Sequence, residues 1–277
     1  MPDMEVTLLG TGDTTGTPTV GCVCDTCQTA REEGIERSRF SVHVRNCRSG
    51  ESLLIDFSPD FRAQFAEHAV PLPDAGVITH IHFDHVDGLG NAYRLFDHLP
   101  VYASARPGPD GQPSVATTIA EKYSYLRPVE VLGVEPFEPQ QVCGLEVTLV
   151  PVVHPPVQSY GVVIADPEHD TRVAISGDTA YGIGAAAQEA FHGADLFLAD
   201  AIVPAALCSR HPLGGTDLTT AGTPRTFGTK HMTREGALEL AAELEVAEVR
   251  LVHTAHFYPA AEAFDSLLAV DGERHRI

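Results

Sequence analysis

The chain has 277 residues, 43% of them apolar, which is enough to bury one large core, so the expectation is one compact domain over 1–277. Its 38 acidic residues outweigh 18 basic ones, and a net charge of −20 opposes binding to nucleic acid and to anionic membranes at ordinary salt. No run of eighteen or more apolar residues occurs and no basic segment precedes the first apolar run, so a soluble, cytoplasmic protein without a membrane partner is expected.

In chain order, EVTLL (5–9) reads as a strand, and GCVCDTC (21–27) follows on a Gly-containing turn. FSVHV (40–44) and SLLIDF (52–57) are strand-like, DFRAQFAEH (60–68) is helical, and GVITH (76–80) is a further strand. After the Gly/Pro-rich stretch 105–114 come the strands LEVTLVPVV (145–153), YGVVIA (160–165) and RVAIS (172–176), then the helix GAAAQEAFH (184–192) and the strand DLFLAD (195–200). Residues 204–230 carry no periodicity, and a stretch of that length in a compact domain reads as a functional loop, here a substrate lid. The helix TREGALELAAEL (233–244), the strand VRLVHT (249–254) and the helix AAEAFDSLLAV (260–270) complete the chain. Strands that pair locally and are then joined through helices, twice over, suit an α/β class with mixed sheets covered by helices on their outer faces.

Cys22, Cys24 and Cys27 are half of the six cysteines. A disulfide between such close neighbours is strained, because the bridge needs a separation and orientation that two or three residues rarely provide. A tetrahedral zinc ion accepts the spacing but requires a fourth ligand, which the segment itself does not supply. Cys47, Cys143 and Cys208 stand singly and read as buried free thiols.

THIHFDH (79–85) places His80, His82, Asp84 and His85 at the end of the strand GVITH. Alternate residues of an extended chain face one way, so His80 and His82 can grip one ion while Asp84 and His85 turn towards another. His154, Asp178 and His253 stand at other strand ends, and Asp178 is able to bridge two ions.

These residues resemble the metallo-β-lactamase superfamily over nearly the whole chain. The resemblance implies an αββα sandwich, with one metal held by His80, His82, His154 and Asp178 and a second by Asp84, His85, Asp178 and His253. It implies that Asp56 orients the site from beneath, and that HxHxDH, in place of the HxExD of flavodiiron members, points to hydrolysis. GTG followed by GCxCxxC is similar to PhnP-like cyclic-phosphate phosphodiesterases and more loosely to PQQ-biosynthesis B proteins. In the former the second histidine of an HxxH closes a structural zinc site, which here is His256. Positions i and i+3 of an extended chain face opposite ways, so His253 and His256 can serve separate ions. By the same resemblance His231 is the general acid, with Asp84 and Asp178 the other catalytic residues.

The function expected is therefore a dinuclear metal phosphodiesterase acting on a small cyclic phosphate diester, with two active-site ions of zinc, manganese or iron and one structural zinc. Arg210, Arg225 and Lys230 are candidate anion contacts. A nuclease of the tRNA 3′-processing kind is second choice, because only 23 residues separate His154 from Asp178 and two strands with a turn fill them. A non-hydrolytic protein like the PQQ-type relatives is third. Molar salt shrinks the Debye length to about 3 Å, so a halophile-like setting explains the charge and softens the case against a nucleic-acid partner. A homodimer is compatible with this reading.

Overall fold

The computed structural model describes residues 4–277; residues 1–3 of the expected 1–277 domain lie outside the described residues. The first sheet contains β1 (Met4–Gly10), β2 (Ser41–Asn46), β3 (Ser52–Ile55), β4 (Ala75–Val77), β5 (Leu99–Ser104), β6 (Val129–Val134) and, at its far edge beside β1, β16 (Arg274–Arg276). The second runs in the order β15 (Glu248–Val252), β11 (Leu196–Asp200), β10 (Thr171–Ile175), β9 (Ser159–Asp166), β8 (Leu145–Val152) and β7 (Gln140–Val142). Both are mixed: β3, β4, β5 and β6 run parallel, as do β10, β11 and β15, and the remaining pairs are antiparallel.

β9 and β11 of the second sheet are buried on both faces, which is why they read as near-continuous apolar runs. Successive side chains point to opposite sides, so Val173 and Ile175 of β10, with Leu196 and Leu198 of β11, join the core between the sheets. Ala174, Phe197 and Ala199 face the other way, onto Phe191 of α6 (Ala185–Phe191) and Ala237 and Leu240 of α7 (Arg234–Glu243). On the first sheet, Phe61 of α2 (Phe61–His68) and Val115 and Ile119 of α5 (Val115–Lys122) belong to the inner cluster with Leu54, Val77 and Val101. The result is the αββα sandwich, with α1 (Asp25–Glu33) beside its end.

The segment 204–230 is not irregular throughout. Gly215–Leu218 (β12) and Pro224–Phe227 (β13) pair with His231–Met232 (β14) in a small antiparallel sheet, anchored by the Arg225–Glu239 ion pair to α7. The expected helix 260–270 stops after one turn, Ala260–Ala263 (α8), because the Asp265 carboxylate accepts from the amides of Leu267 and Leu268, and Leu251 and Ala269 then form strand-like backbone bonds. Between His154 and Asp178 stand only β9, β10 and their turn, as expected. Among the described residues no helix is long and apolar enough to cross a membrane.

Candidate metal centre

Six segments converge at the ends of their strands. β4 stops at Val77, earlier than GVITH suggests, and the chain continues extended through Thr79 and His80 before His82 precedes the short helix α3 (Phe83–Val86), which carries Asp84 and His85. β3 delivers Asp56, β8 delivers His154, β10 delivers Asp178, β11 ends on Asp200, and His253 follows β15. Asp178 turns inward through Ser176–Gly177–Asp178, where Gly177 has φ +61° and any Cβ would lie 2.4 Å from the Tyr160 carbonyl oxygen, so glycine is required. Asp56 (φ 60°) and His253 (φ 57°) sit in the left-handed region without being glycine, a strain that clusters at functional sites.

His80, His82, His154 and Asp178 offer ligand atoms within 4.8 Å of one another. His80 Nε2 and His82 Nδ1 are 3.0 Å apart, and His154 Nε2 lies 3.3 Å from the same His82 nitrogen. Bonds of 2.0–2.1 Å to one tetrahedral ion put nitrogens about 3.3 Å apart, so the donor set fits a metal. The second set, Asp84, His85 and His253, is equally close, and Asp178 Oδ2 lies 3.4 Å from Nε2 of both His85 and His253 and 3.6 Å from His80 Nε2. Asp178 thus stands between the two sets. The buried Nε2 of His85 and both ring nitrogens of His253 have no hydrogen-bond partner among the described residues, the kind of orphan that a bound ion satisfies.

The outer nitrogens are held. His85 Nδ1 donates to Asp56 Oδ2 at 2.6 Å, and Asp56 also accepts from the Thr79 amide at 2.8 Å and the Thr79 hydroxyl at 2.7 Å. His80 Nδ1 donates to that hydroxyl at 3.0 Å and His154 Nδ1 to the Lys230 carbonyl at 3.1 Å, which fixes each ring with Nε2 facing the cluster. Burial pushes His80 well below the usual imidazole range and His154 down to about 4, leaving both neutral and able to ligate. For His85 and His253 burial acts in the same direction but loses: Asp178, first among their carboxylate neighbours, holds both well above it, so an ion entering there displaces protons. Asp178 itself is burdened by burial yet held well below the usual carboxylate range by His253, His85 and His80.

His231 lies beside this cluster on β14, with its Nδ1 donating to Asp200 Oδ2 at 2.9 Å and its ring stacked on that of His253 at 5.1 Å. Thr233, two residues on, is the N-cap of α7 and accepts from the Gly236 amide. Asp200, which sequence reasoning read only as a strand end, is 1% exposed, also accepts from the Thr179 amide at 2.9 Å, and has its other oxygen 3.6 Å from His253 Nδ1. An acid closing an otherwise apolar strand, LFLAD, was the available signal. Thr14 is a second residue missed: its hydroxyl donates to Asp84 Oδ2, the oxygen facing His85 and His253.

Cys22, Cys24, Cys27 and His256 form a separate set within 4.8 Å, with His256 Nδ1 3.4 Å from Cys22 Sγ and 3.5 Å from Cys24 Sγ. Zinc bonds to sulfur and nitrogen predict about 3.6 Å for such pairs. His253 and His256 do not alternate on an extended strand as expected, because β15 ends at Val252 and His253 has positive φ; this bend sends the two rings to different clusters. Arg225 is engaged by Glu239 and lies over the Tyr181 ring, so it is not a free anion contact, whereas Lys230 adjoins His154 and His82. Cys208 is buried as expected, Cys143 is half-buried and Cys47 is exposed.

A two-sheet sandwich with His/Asp sets gathered at its strand ends is the architecture of the beta-lactamase superfamily domain, and the chain belongs to that family, whose model matches residues 51–254. Among solved structures it is similar to a diphosphatase from the PhnP family, at 25% identity and a TM-score of 0.76 over 99% of this chain and 97% of that one. It is similar in fold to Zn²⁺-bound PqqB from Methylobacterium extorquens, at 20% identity and a TM-score of 0.76 over 99% of this chain and all of that one. An octanoyltransferase of Porphyromonas gingivalis is 33% identical over 162 residues, 54% of this chain and 31% of that protein. The chain spans less than half the length of the curated relatives it matches.

Proposed function

We propose that the chain is a dinuclear metal-dependent phosphodiesterase that opens a small cyclic phosphate diester. The observation that carries this reading is the position of Asp178 in one four-residue ligand set and beside a second set of three, with the His231–Asp200 pair at their edge. His80, His82, His154 and Asp178 would hold one divalent ion and Asp84, His85, Asp178 and His253 the other. When bound, such ions supply Lewis acidity at the phosphoryl oxygens and activate water for in-line attack.

The remaining work falls to the chain's own side chains. His231, with Nδ1 committed to Asp200, has Nε2 available to give a proton to the departing alkoxide. Asp200 accepts the Nδ1 proton in a hydrogen bond and so orients the ring, the proton given to the alkoxide being a second one carried on Nε2, and Asp200 itself stays ionised because His231 and His253 offset its burial cost. Asp84 and Asp178 hold the polar face of the site, and Thr14 orients Asp84. The similarity to a PhnP-family diphosphatase supports phosphoryl chemistry, and the Cys22–Cys24–Cys27–His256 set supports a structural zinc outside the reaction.

The test is turnover of a ribose cyclic phosphate and of an oligoribonucleotide by metal-loaded protein, with Asp178→Ala alongside. The expected result is hydrolysis of the cyclic ester and a loss of at least 10³-fold in the variant, with its melting curve and structural zinc retained. Preferential cleavage of the oligonucleotide would instead make the chain a nuclease, and no hydrolysis of either would place it with non-hydrolytic relatives.

A further inference from the structure

The C-terminal segment 267–273 ties the two sheets together at the end where the ligand sets lie. On the second sheet the Leu251 amide donates to the Leu267 carbonyl at 3.0 Å and the Ala269 amide to the Leu251 carbonyl at 2.9 Å. On the first, the Gly272 amide donates to the Leu8 carbonyl at 2.7 Å and the Leu8 amide to the Glu273 carbonyl at 2.9 Å. Asp271 stands between these two ladders. Its Oδ1 accepts from the Thr11 amide and hydroxyl, both at 2.8 Å, and its Oδ2 from the Ser38 amide at 2.6 Å and hydroxyl at 2.7 Å. An aspartate in a turn ordinarily accepts from amides two or three residues on, as Asp13 and Asp265 do here. The four donors to Asp271 lie instead 260 or 233 residues away, so its carboxylate serves to join distant segments. Arg37, 3% exposed, grips the same segment from its other side, donating to the carbonyls of Ala263 at 2.7 Å and Ala269 at 3.0 Å.

We infer that Asp271 is a positioning residue for the second ligand set, Asp84, His85 and His253, and acts on it through the loop Thr11–Thr14. The inference rests on the dinuclear reading above and adds a residue outside both sets on which the second ion depends. The loop reaches two of the three ligands. At its far end the Thr14 hydroxyl donates to Asp84 Oδ2. At its near end the Thr11 carbonyl accepts from the Thr254 amide at 3.0 Å and the Asp13 amide donates to the Thr254 carbonyl at 3.2 Å, which fastens the residue following His253. That backbone hold matters because His80, His154 and His85 each have an outer nitrogen fixed by a hydrogen bond, whereas neither ring nitrogen of His253 has one among the described residues. The His253 ring is therefore aimed by the chain on either side of it. The Gly12 amide donates to the Ser38 carbonyl at 2.8 Å, so Asp271 holds both walls of the loop's first turn, and a shift of either breaks a bond to its carboxylate. Among the described residues no hydrogen bond joins this loop to His80, His82 or His154, so the effect falls on one set and spares the other.

The experiment dialyses zinc-loaded protein against a graded series of chelator concentrations and counts the ions retained per chain by elemental analysis, with Cys24→Ala marking the step that belongs to the cysteine set. Asp271→Asn keeps the size of the side chain but turns an amide group towards the backbone N–H of Thr11 or Ser38, which cannot then be accepted. In that variant one of the two remaining steps should move to about tenfold lower chelator, with the other unmoved. Thr14→Val should move the same step, and adding Asp271→Asn to it should move that step no further, because both changes act along one path. Where Asp271→Asn does not fold, Thr11→Val removes a single donor at constant shape and should move that step about threefold. Both steps moving together, neither moving, or losses that multiply in the double variant would overturn the inference and leave Asp271 as a brace of the fold alone. Wild type that retains fewer than two ions besides the one lost in Cys24→Ala would sink the dinuclear reading itself, and this inference with it, since no second ion would be there to hold.

Discussion

A histidine that shares its Nδ1 proton with a buried carboxylate and stacks on a ligand-set ring has one nitrogen left for chemistry, which is the situation of His231. Breaking a phosphodiester expels an alkoxide, and a positioned acid contributes about 10²–10⁴-fold by protonating it. Nitrophenolate leaves without a proton. His231→Ala should therefore lose most of its activity on a ribose cyclic phosphate and keep much of it on a nitrophenyl diester, with metal content unchanged. Equal loss on both substrates would mean that His231 positions phosphate and donates no proton. At this scale the sequence was informative where residue type alone limits the role: HxHxDH, His154, Asp178 and His253 are all drawn into the two sets. Asp200 and Thr14 escaped because a strand-terminal acid and a loop threonine are ordinary in isolation, and only the fold brings them against His231 and Asp84.

Elements were legible where a strand is apolar on both faces, as in β9 and β11, or alternates cleanly, as in β8, because either pattern leaves little alternative. They were not legible where pairing partners lie far apart in sequence. Among the described strands β16 pairs with β1 alone, some 270 residues away, while β12 is short and exposed and β13 has four residues, so neither carries a period. Helix 260–270 failed for a local reason, since the Asp265 side chain competes for backbone amides. α1 was hidden behind the cysteines that open it: Cys24 is its N-cap position and Cys27 lies in its first turn, where burial pushes the thiol up to about 11 and a metal would be needed to hold it as thiolate. The same loop runs back through Thr19, whose amide donates to Cys27 Sγ, to Thr14 at the active cluster. Cys24→Ala should accordingly lower zinc content by about one ion per chain and loosen both ends of this loop, seen as a lower melting temperature. Unchanged zinc by elemental analysis would remove the structural site from the account.

Across the whole molecule, charge and fold pull in different directions. The two sheets share one buried core, while the surface carries an excess of 20 negative charges that the ion pairs of Arg39, Arg48, Arg225, Arg234, Arg250 and Arg274 offset only locally. Self-repulsion of that size favours the expanded chain, and it is long-ranged in dilute buffer, where the Debye length at 0.01 M is about 30 Å. Raising ionic strength to 1 M shortens it to about 3 Å, below the spacing of most surface carboxylates, so the penalty on the compact state disappears while buried pairs such as His85–Asp56 are little affected. Relief of about 2 kcal/mol would raise the melting temperature by roughly 4–8 °C for a chain of this size. The expected outcome is a melting temperature that climbs between 0.01 M and 1 M potassium chloride and then flattens, with sodium chloride giving the same curve because screening depends on ionic strength and not on the identity of the cation. A melting temperature flat across that range would show that the acidic surface costs the fold nothing. A rise that continued steeply beyond 1 M would point to salting-out of apolar surface instead, and the charge would then have no part in the stability of the molecule.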